Sequence, residues 1–452
     1  MKTKFFTTGL LFVFLLSINA FANGIENAPP AFSINGGKAI YVDFKDAKYE
    51  IVYDLKNKTA VATSTINFQS FEEGMPIFDS VAEPVSVSID GKSVIQGLIS
   101  DPQSQTKMRL VKQSFAPGMH KMVVVTNLAP TFATNGVRNL FAMTDLDDRG
   151  YLEKYLPANL EYDQVGMTFT IDILGIQGEQ DFFTNGQLSK LKDSKWMIEF
   201  PEYFTSSSLY FHTAPKGQFH LKDFNIASMD GRSLPVRVYG ESLDTVNRFI
   251  PAIEKSIKGL EVKYGPWRHS SVTVYASSTM GGGMEYSGAT VTSMWALNHE
   301  LTHSYFARGV MPATGNSGWI DEAITTWSDE NPGQVSTFNY GSTGMGGRSV
   351  YRRYTDGQAY RAGVAFMSFM DFLMQKQGGL NVFLNKLLQT SLRKTITTPQ
   401  LEAGMSSFVG FSLNKYFKDY IYTGGSPFNR VVKRVENPYH PRLTENDIKA
   451  LE

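Results

Sequence analysis

The chain of 452 residues contains no cysteine. Disulfides, thiolate metal sites, a cysteine nucleophile and a cysteine-linked lipid anchor are therefore excluded. It carries no charge excess either: 43 Lys and Arg stand against 43 Asp and Glu, a net charge of zero. A general nucleic-acid or anionic-membrane binder needs a basic surplus, so no nucleic-acid partner is expected. Internal repeats, low-complexity tracts and flexible linkers are missing. Beyond the amino-terminal segment no apolar run reaches the ~20 residues that a bilayer span requires. Histidine is scarce, with seven in the chain. What remains is 42% hydrophobic and 19% charged, a globular composition. At ~100–200 residues per domain the length suggests two to four domains, enough for a full core without a metal or disulfide staple.

Residues 1–22 read as a secretory signal peptide. Lys2 and Lys4 precede an apolar stretch from Phe5 to Ile18, and Ala20-Phe21-Ala22 offers a small-x-small cleavage site. The expected mature protein is exported, periplasmic or secreted, without stable membrane association. From Ala39 to about Ile226 the pattern is short and alternating, as in Tyr49-Glu50-Ile51-Val52-Tyr53 and Thr63-Ser64-Thr65-Ile66-Asn67-Phe68, which reads as an all-β domain over residues 23–230. The texture then changes. Pro235 to Tyr239 reads as a strand, followed by a helix with Val246, Phe249, Ile250, Ile253, Ile257 and Leu260 on one face and a stop at Gly265-Pro266. Ser271 to Tyr275 reads as another strand, and beyond Trp295 nearly everything reads helical. Val364 to Leu373 is apolar almost all round, which marks a buried helix whose methionines are core filler. The second domain is expected over 231–424, with a short polar tail at 425–452.

Two of the seven histidines lie four residues apart, in His299-Glu300-Leu301-Thr302-His303. On a helix, positions i and i+4 share a face one turn apart, so both imidazoles can reach one metal ion. Glu300 stands one step round the helix, where its carboxylate can take a proton from a water that the metal activates. This is the HExxH signature of zinc metalloproteases. A third ligand is available in Trp319-Ile320-Asp321-Glu322-Ala323. Eighteen residues separate His303 from Glu322, room for a helix to end, a Gly/Pro/Asn-rich turn from Gly309 to Gly318, and a second helix. Two His and one Glu leave a fourth position open, as a catalytic zinc site requires. Asp329, two turns beyond Glu322 on the same face, could orient a ligating imidazole through its second N–H, or be a solvated surface acid.

These residues resemble the signature of the gluzincin aminopeptidases, the family of aminopeptidase N and leukotriene hydrolase: HExxH, eighteen residues, then Glu. Two further segments resemble family motifs, Gly282-Gly283-Met284-Glu285 and Tyr360-Arg361-Ala362-Gly363. The resemblance implies a multidomain α+β protein, an N-terminal antiparallel β domain followed by a thermolysin-like α+β zinc peptidase domain. It implies one Zn²⁺ per chain on His299, His303 and Glu322, with Glu300 as general base and Tyr360 as donor to the oxyanion. Tyr351 and Tyr354 are rivals for that last role on spacing alone. It further implies that Gly281 to Met284 forms an edge strand pairing with a peptide substrate, and that Glu285 binds the substrate's free α-amine. The expected activity is aminopeptidase, with an endopeptidase or oligopeptidase on the same site as the alternative, and an inactive peptide-binding relative as a further one.

Four departures from the family pattern bear on the amine end. Tyr286 stands where Asn is usual, and only fourteen positions separate Glu285 from His299. Ser304-Tyr305-Phe306-Ala307-Arg308 replaces the usual Gln-Trp-Phe-Gly-Asn. The segment from Thr144 to Arg149 loosely resembles one that gives a second amine contact, with Ala142 where Gln is expected. The chain is also expected to lack the large C-terminal domain usual in the family.

Overall fold

The structure is a computed structural model that describes residues 25–104, 107–144, 150–351 and 354–422. The signal-peptide segment 1–22, the tail 425–452 and most of the segment 144–149 lie outside the described residues.

The amino-terminal half folds as sheets because its strands carry an inside and an outside. In Thr59–Ser70 alternate residues are buried, among them Ala60, Ala62, Ile66 and Phe68. The strand before it, Asp43–Asp54, is joined to it by a turn in which the Asp54 carboxylate accepts from the backbone N–H of Lys56 and Asn57, both at 3.0 Å. These two strands sit inside an eight-stranded sheet, accompanied by a five-stranded and a four-stranded one. Most pairings in this half are antiparallel, as expected, and two are parallel. Asp43–Asp54 pairs in parallel with Gly166–Leu174, and Gly37–Tyr41 in parallel with Met75–Phe78. Parallel neighbours need crossover connections, and the chain makes the first between residues 70 and 166, where it lays down three more strands of this sheet as well as strands of the other two.

The second domain is built on a five-stranded sheet in the order His220–Ala227, Ser233–Gly240, Val272–Ser277, Ala289–Ser293, Gly283–Tyr286. Its first strand precedes residue 231, so the sheet starts earlier than the change of texture suggested. The pleat sends Leu234, Val236, Val238, Val272, Val274 and Ala276 to a helical core. It sends Tyr239, Tyr275, Met284, Tyr286 and Val291 into the core of the amino-terminal domain. One sheet therefore cements the two halves. Helix α1 (Leu243–Tyr264) covers the helical side with Val246, Phe249, Ile253, Ile257 and Leu260. It is capped by Ser242 and closed by Gly265 at φ 86°.

The region after Trp295 is less helical than its sequence suggests. It contains α2 (Leu297–Thr302), α3 (Ile320–Glu330), α4 (Ala362–Leu373), α5 (Leu380–Ser391) and α6 (Thr398–Val409). A strand, Val310–Pro312, stands where a turn was expected, and pairs with Lys394–Ile396. Between α3 and α4 the chain is mostly irregular, a stretch rich in Gly, Ser, Thr and Asn, which favour turns over helix interiors. Among the described residues no helix is long and apolar enough to cross a membrane.

Candidate metal centre

Helix α2 is only six residues long, and His303 is its C-cap rather than a residue of its interior. The expected longer helix fails because the chain turns back at once, with the Arg308 N–H donating to the His303 carbonyl at 2.9 Å. One turn suffices to aim both imidazoles at α3. His299 Nε2 and His303 Nε2 are 3.1 Å apart. Glu322 Oε2 is 3.2 Å from the first and 3.4 Å from the second. Four-coordinate zinc with bonds of 2.0–2.2 Å spaces its ligand atoms about 3.3 Å apart. All three side chains are buried. Three electron-rich atoms at the spacing of a tetrahedral edge, in a water-poor interior, fit a zinc ion.

The ring of His303 is fixed from behind. Its Nδ1 lies 3.1 Å from the Phe306 carbonyl and 3.3 Å from Thr325 Oγ1. Donation from Nδ1 to the carbonyl leaves the Nε2 lone pair pointing at the centre, the usual device for setting a ligand tautomer. Asp329, for which an orienting role and a solvated surface position were both open, accepts from the Asn298 amide at 2.6 Å. On α3, two turns beyond Glu322, it thus meets the residue before His299.

Glu300 lies beside this cluster and is also buried. Burial pushes its carboxyl well above the usual range; His303 opposes this, while Glu285, Glu322 and Asp329 add to it. For His303, burial works to lower the pKa, but Glu285, Glu322 and Glu300 outweigh it and hold the ring well above its ordinary value. Glu322 shows the reverse, as burial raises it and the two imidazoles pull it well below the carboxylate range. A divalent cation among the three ligand atoms would favour ionised carboxylates and neutral imidazoles.

Gly282, Gly283, Met284 and Glu285 approach from the sheet edge. The strand runs from Gly283 to Tyr286, slightly later than expected, antiparallel to Ala289–Ser293 with its other side unpaired in the sheet order. Alternation turns Met284 and Tyr286 into the core of the amino-terminal domain, which explains an aromatic after Glu285. Gly283 and Glu285 face the other way. A Cβ on Gly283 would stand 2.4 Å from Glu300 Cγ and 2.5 Å from its Cδ and Oε1, so this glycine is bare because the Glu300 side chain lies against it. Glu285, Glu300 and His303 also offer ligand atoms within 4.8 Å of one another.

The three tyrosines separate clearly. Tyr360 lies in a turn of 3₁₀ helix, Gly357–Tyr360, with its ring centroid 6.3 Å from that of His299 and nearly parallel to it. Tyr351 donates its hydroxyl to the Pro30 carbonyl at 2.9 Å and packs on Phe32. The Arg348 guanidinium sits 4.9 Å from the Tyr354 ring. Gly363, three residues past Tyr360, has structural meaning, because a Cβ there would stand 2.8 Å from Ala323 Cβ on α3. The close crossing of α4 over α3 keeps Tyr360 beside the helix that carries Glu322.

Glu285 has a charged neighbour to which the sequence did not point. One oxygen of its carboxylate, Oε1, is engaged inside the protein. Arg308 donates from Nη2 to Glu285 Oε1 at 2.7 Å and from Nη1 to Ser207 Oγ at 2.5 Å. Nη1 is 4.0 Å from Glu161 Oε1 as well, and the guanidinium carbon is 5.5 Å from the Tyr151 ring centroid. Arg308 and Glu285 are both buried. Arg308 stands at the last of the five unusual residues after His303. Ser207 and Glu161 come from the other domain, and no spacing in the sequence points to them. Ala142 contributes only its carbonyl, which accepts from Tyr155 Oη at 2.7 Å and Lys154 Nζ at 2.8 Å. Past Glu161 a cavity of about 590 Å³ opens between the domains, lined by Tyr41, Ile77, Met108, Glu161, Gly318 and Tyr354 among others.

No family model and no curated protein matches the sequence. Solved structures do match. The M1 zinc metallopeptidase of Deinococcus radiodurans aligns with a TM-score of 0.60 at 13% identity, over 85% of this chain and 95% of that one. Yeast LTA4 hydrolase in complex with bestatin gives 0.58 at 13% identity, over 85% and 68%. Legionella pneumophila aminopeptidase A in complex with aspartic acid gives 0.60 at 12% identity, over 88% and 51%. The chain has the α+β fold of two-domain M1 zinc metallopeptidases.

Proposed function

We propose that the protein is an exported zinc-dependent metallopeptidase that hydrolyses peptides laid along the edge strand Gly283–Tyr286. The observation that carries this reading is the triangle of His299, His303 and Glu322 ligand atoms, 3.1–3.4 Å on a side, with Glu300 next to it. The fold supports it, and the amino-terminal segment with Lys2, Lys4 and Ala20-Phe21-Ala22 supports export.

A zinc ion on these three residues would supply a Lewis acid, making water acidic near neutral pH and polarising the carbonyl. The chain's own groups do the rest. Glu300 takes the proton of the attacking water and returns it to the departing amine. Tyr360, close to His299, donates its O–H to the oxygen that gains charge in the tetrahedral state. The edge strand offers backbone N–H and C=O groups to a peptide bound as an added strand, and the closed interior strengthens each of these interactions.

Cleavage at the amino-terminal bond, an aminopeptidase activity, is supported by relatives of this fold that were solved with L-arginine and with a Tyr-Ser-Ala substrate. An oligopeptidase or endopeptidase reading is favoured by the Arg308 contact on Glu285. The test is metal analysis of the purified protein together with hydrolysis of a peptide set. One zinc per chain is expected, with loss of activity on chelation and recovery on adding zinc back. Glu300→Gln should keep the zinc and lose nearly all turnover. A metal-free protein with full activity would overturn the reading.

A further inference from the structure

Arg308 is a buried cation placed on Glu285, the carboxylate that the family resemblance assigns to the peptide's amino end. Its Nη2 holds Glu285, its Nη1 holds Ser207 and lies 4.0 Å from Glu161, and its plane is backed by Tyr151. The backbone leads it there. The chain leaves α2 at His303, Ala307 adopts φ 137°, and the Arg308 N–H caps the His303 carbonyl. The arginine is thus tied at its backbone to a candidate zinc ligand and at its guanidinium to the edge strand. An ammonium approaching Glu285 meets a carboxylate that already holds a cation on Oε1, and that positive neighbour repels it. A carboxylate-to-ammonium contact alone would favour a free amino end by roughly ten- to hundredfold, and the guanidinium offsets that preference.

We propose that Arg308 is a specificity-determining residue: by neutralising Glu285 it makes the site indifferent to whether a peptide's amino end is a free ammonium or a neutral, blocked one. The substrate class is therefore oligopeptides with free or acylated amino ends, and the proposal rests on the peptidase reading above.

The experiment measures kcat/KM for one peptide in its free and N-acetylated forms. It also measures the affinity of both forms, by calorimetry, for the zinc-loaded Glu300→Gln protein, so that recognition is read apart from turnover. In wild type the two forms should agree within about threefold in both measurements. Arg308→Gln exposes the Glu285 charge, and the preference for the free form should rise by roughly tenfold or more. Removing one partner of a buried ion pair can prevent folding, so Glu285→Gln is made as well. It leaves the guanidinium unbalanced and should turn the preference to the acetylated form by at least about threefold. Either variant that folds decides the matter. A wild-type preference for the free form above about thirtyfold, or a ratio that neither variant moves, overturns the inference. If the zinc-loaded protein neither binds nor cuts any peptide, the peptidase reading itself fails.

Discussion

Adding one methyl group at Gly283 should cripple the protein without touching a candidate ligand. The backbone there is not in the left-handed region, so alanine is conformationally permitted. The obstacle is Glu300, whose Cγ, Cδ and Oε1 lie 2.4–2.5 Å from where the new Cβ would stand. Carbon atoms in contact settle near 3.5–4.0 Å, so the Glu300 side chain must retreat by about 1 Å. A misplacement of that size costs on the order of 10²-fold in rate, while a general base contributes ~10²–10⁴ in all. Gly283→Ala is therefore expected to lower kcat by about 10²-fold. Its zinc content should match wild type, because the triangle of ligand atoms belongs to α2 and α3. Turnover of a short peptide, elemental analysis and a thermal melt on the same preparation measure all three quantities. The control is Gly259→Ala, on the exposed face of α1, where a Cβ meets nothing within 4 Å. It should leave kcat unchanged and stabilise the helix by up to ~1 kcal/mol. A Gly283→Ala protein that is fully loaded with zinc and turns over like wild type would refute the argument that Glu300 acts from the position described.

Tyr360→Phe keeps the ring against His299 and removes only the donor. It should lower kcat by ~10²–10³ with little change in KM, whereas Tyr351→Phe should leave kcat within a few-fold because that hydroxyl is bound to Pro30. Acid should destabilise the fold through His212, whose pKa burial lowers to about 3, with Arg138 adding to the effect. Below the ordinary value of 6.5 the unfolded chain takes up a proton that the folded one refuses. This group therefore costs about 2 kcal/mol by pH 5, and more until pH reaches the folded value. His269, whose pKa burial lowers to about 4, adds a loss of the same sign, so urea melts at pH 7 and pH 5 should show a loss in wild type that is about 2 kcal/mol smaller in His212→Gln.

Local chemistry carries what the sequence showed. HExxH specifies a helical turn with two imidazoles on one side, because the spacing is the pitch of the helix itself. The alternation in Thr59–Ser70 and the stripe on α1 are likewise periodicities of single elements, and both reappear in the burial of the structure. The Tyr-x-x-Gly segment was legible too, but its reason was not. Gly363 is small because α4 crosses α3 at Ala323, a contact between elements forty residues apart in the chain.

Tertiary structure alone decided the surroundings of Glu285. The family resemblance implies an edge strand ending at Met284, followed by a Glu285 that binds a free α-amine. In the folded protein Arg308 arrives from beyond α2, and Ser207 and Glu161 arrive from the other domain. Asp329 likewise reads correctly as lying on the face of Glu322, yet its partner is set by how α2 lies against α3. Periodicity fixes which side of an element a residue occupies, because backbone geometry is the same in every protein. Which charge meets which depends on how distant elements pack, and a buried guanidinium goes to whatever carboxylate the packing brings within reach, since leaving either one unpaired in the interior costs more than any local preference can offset.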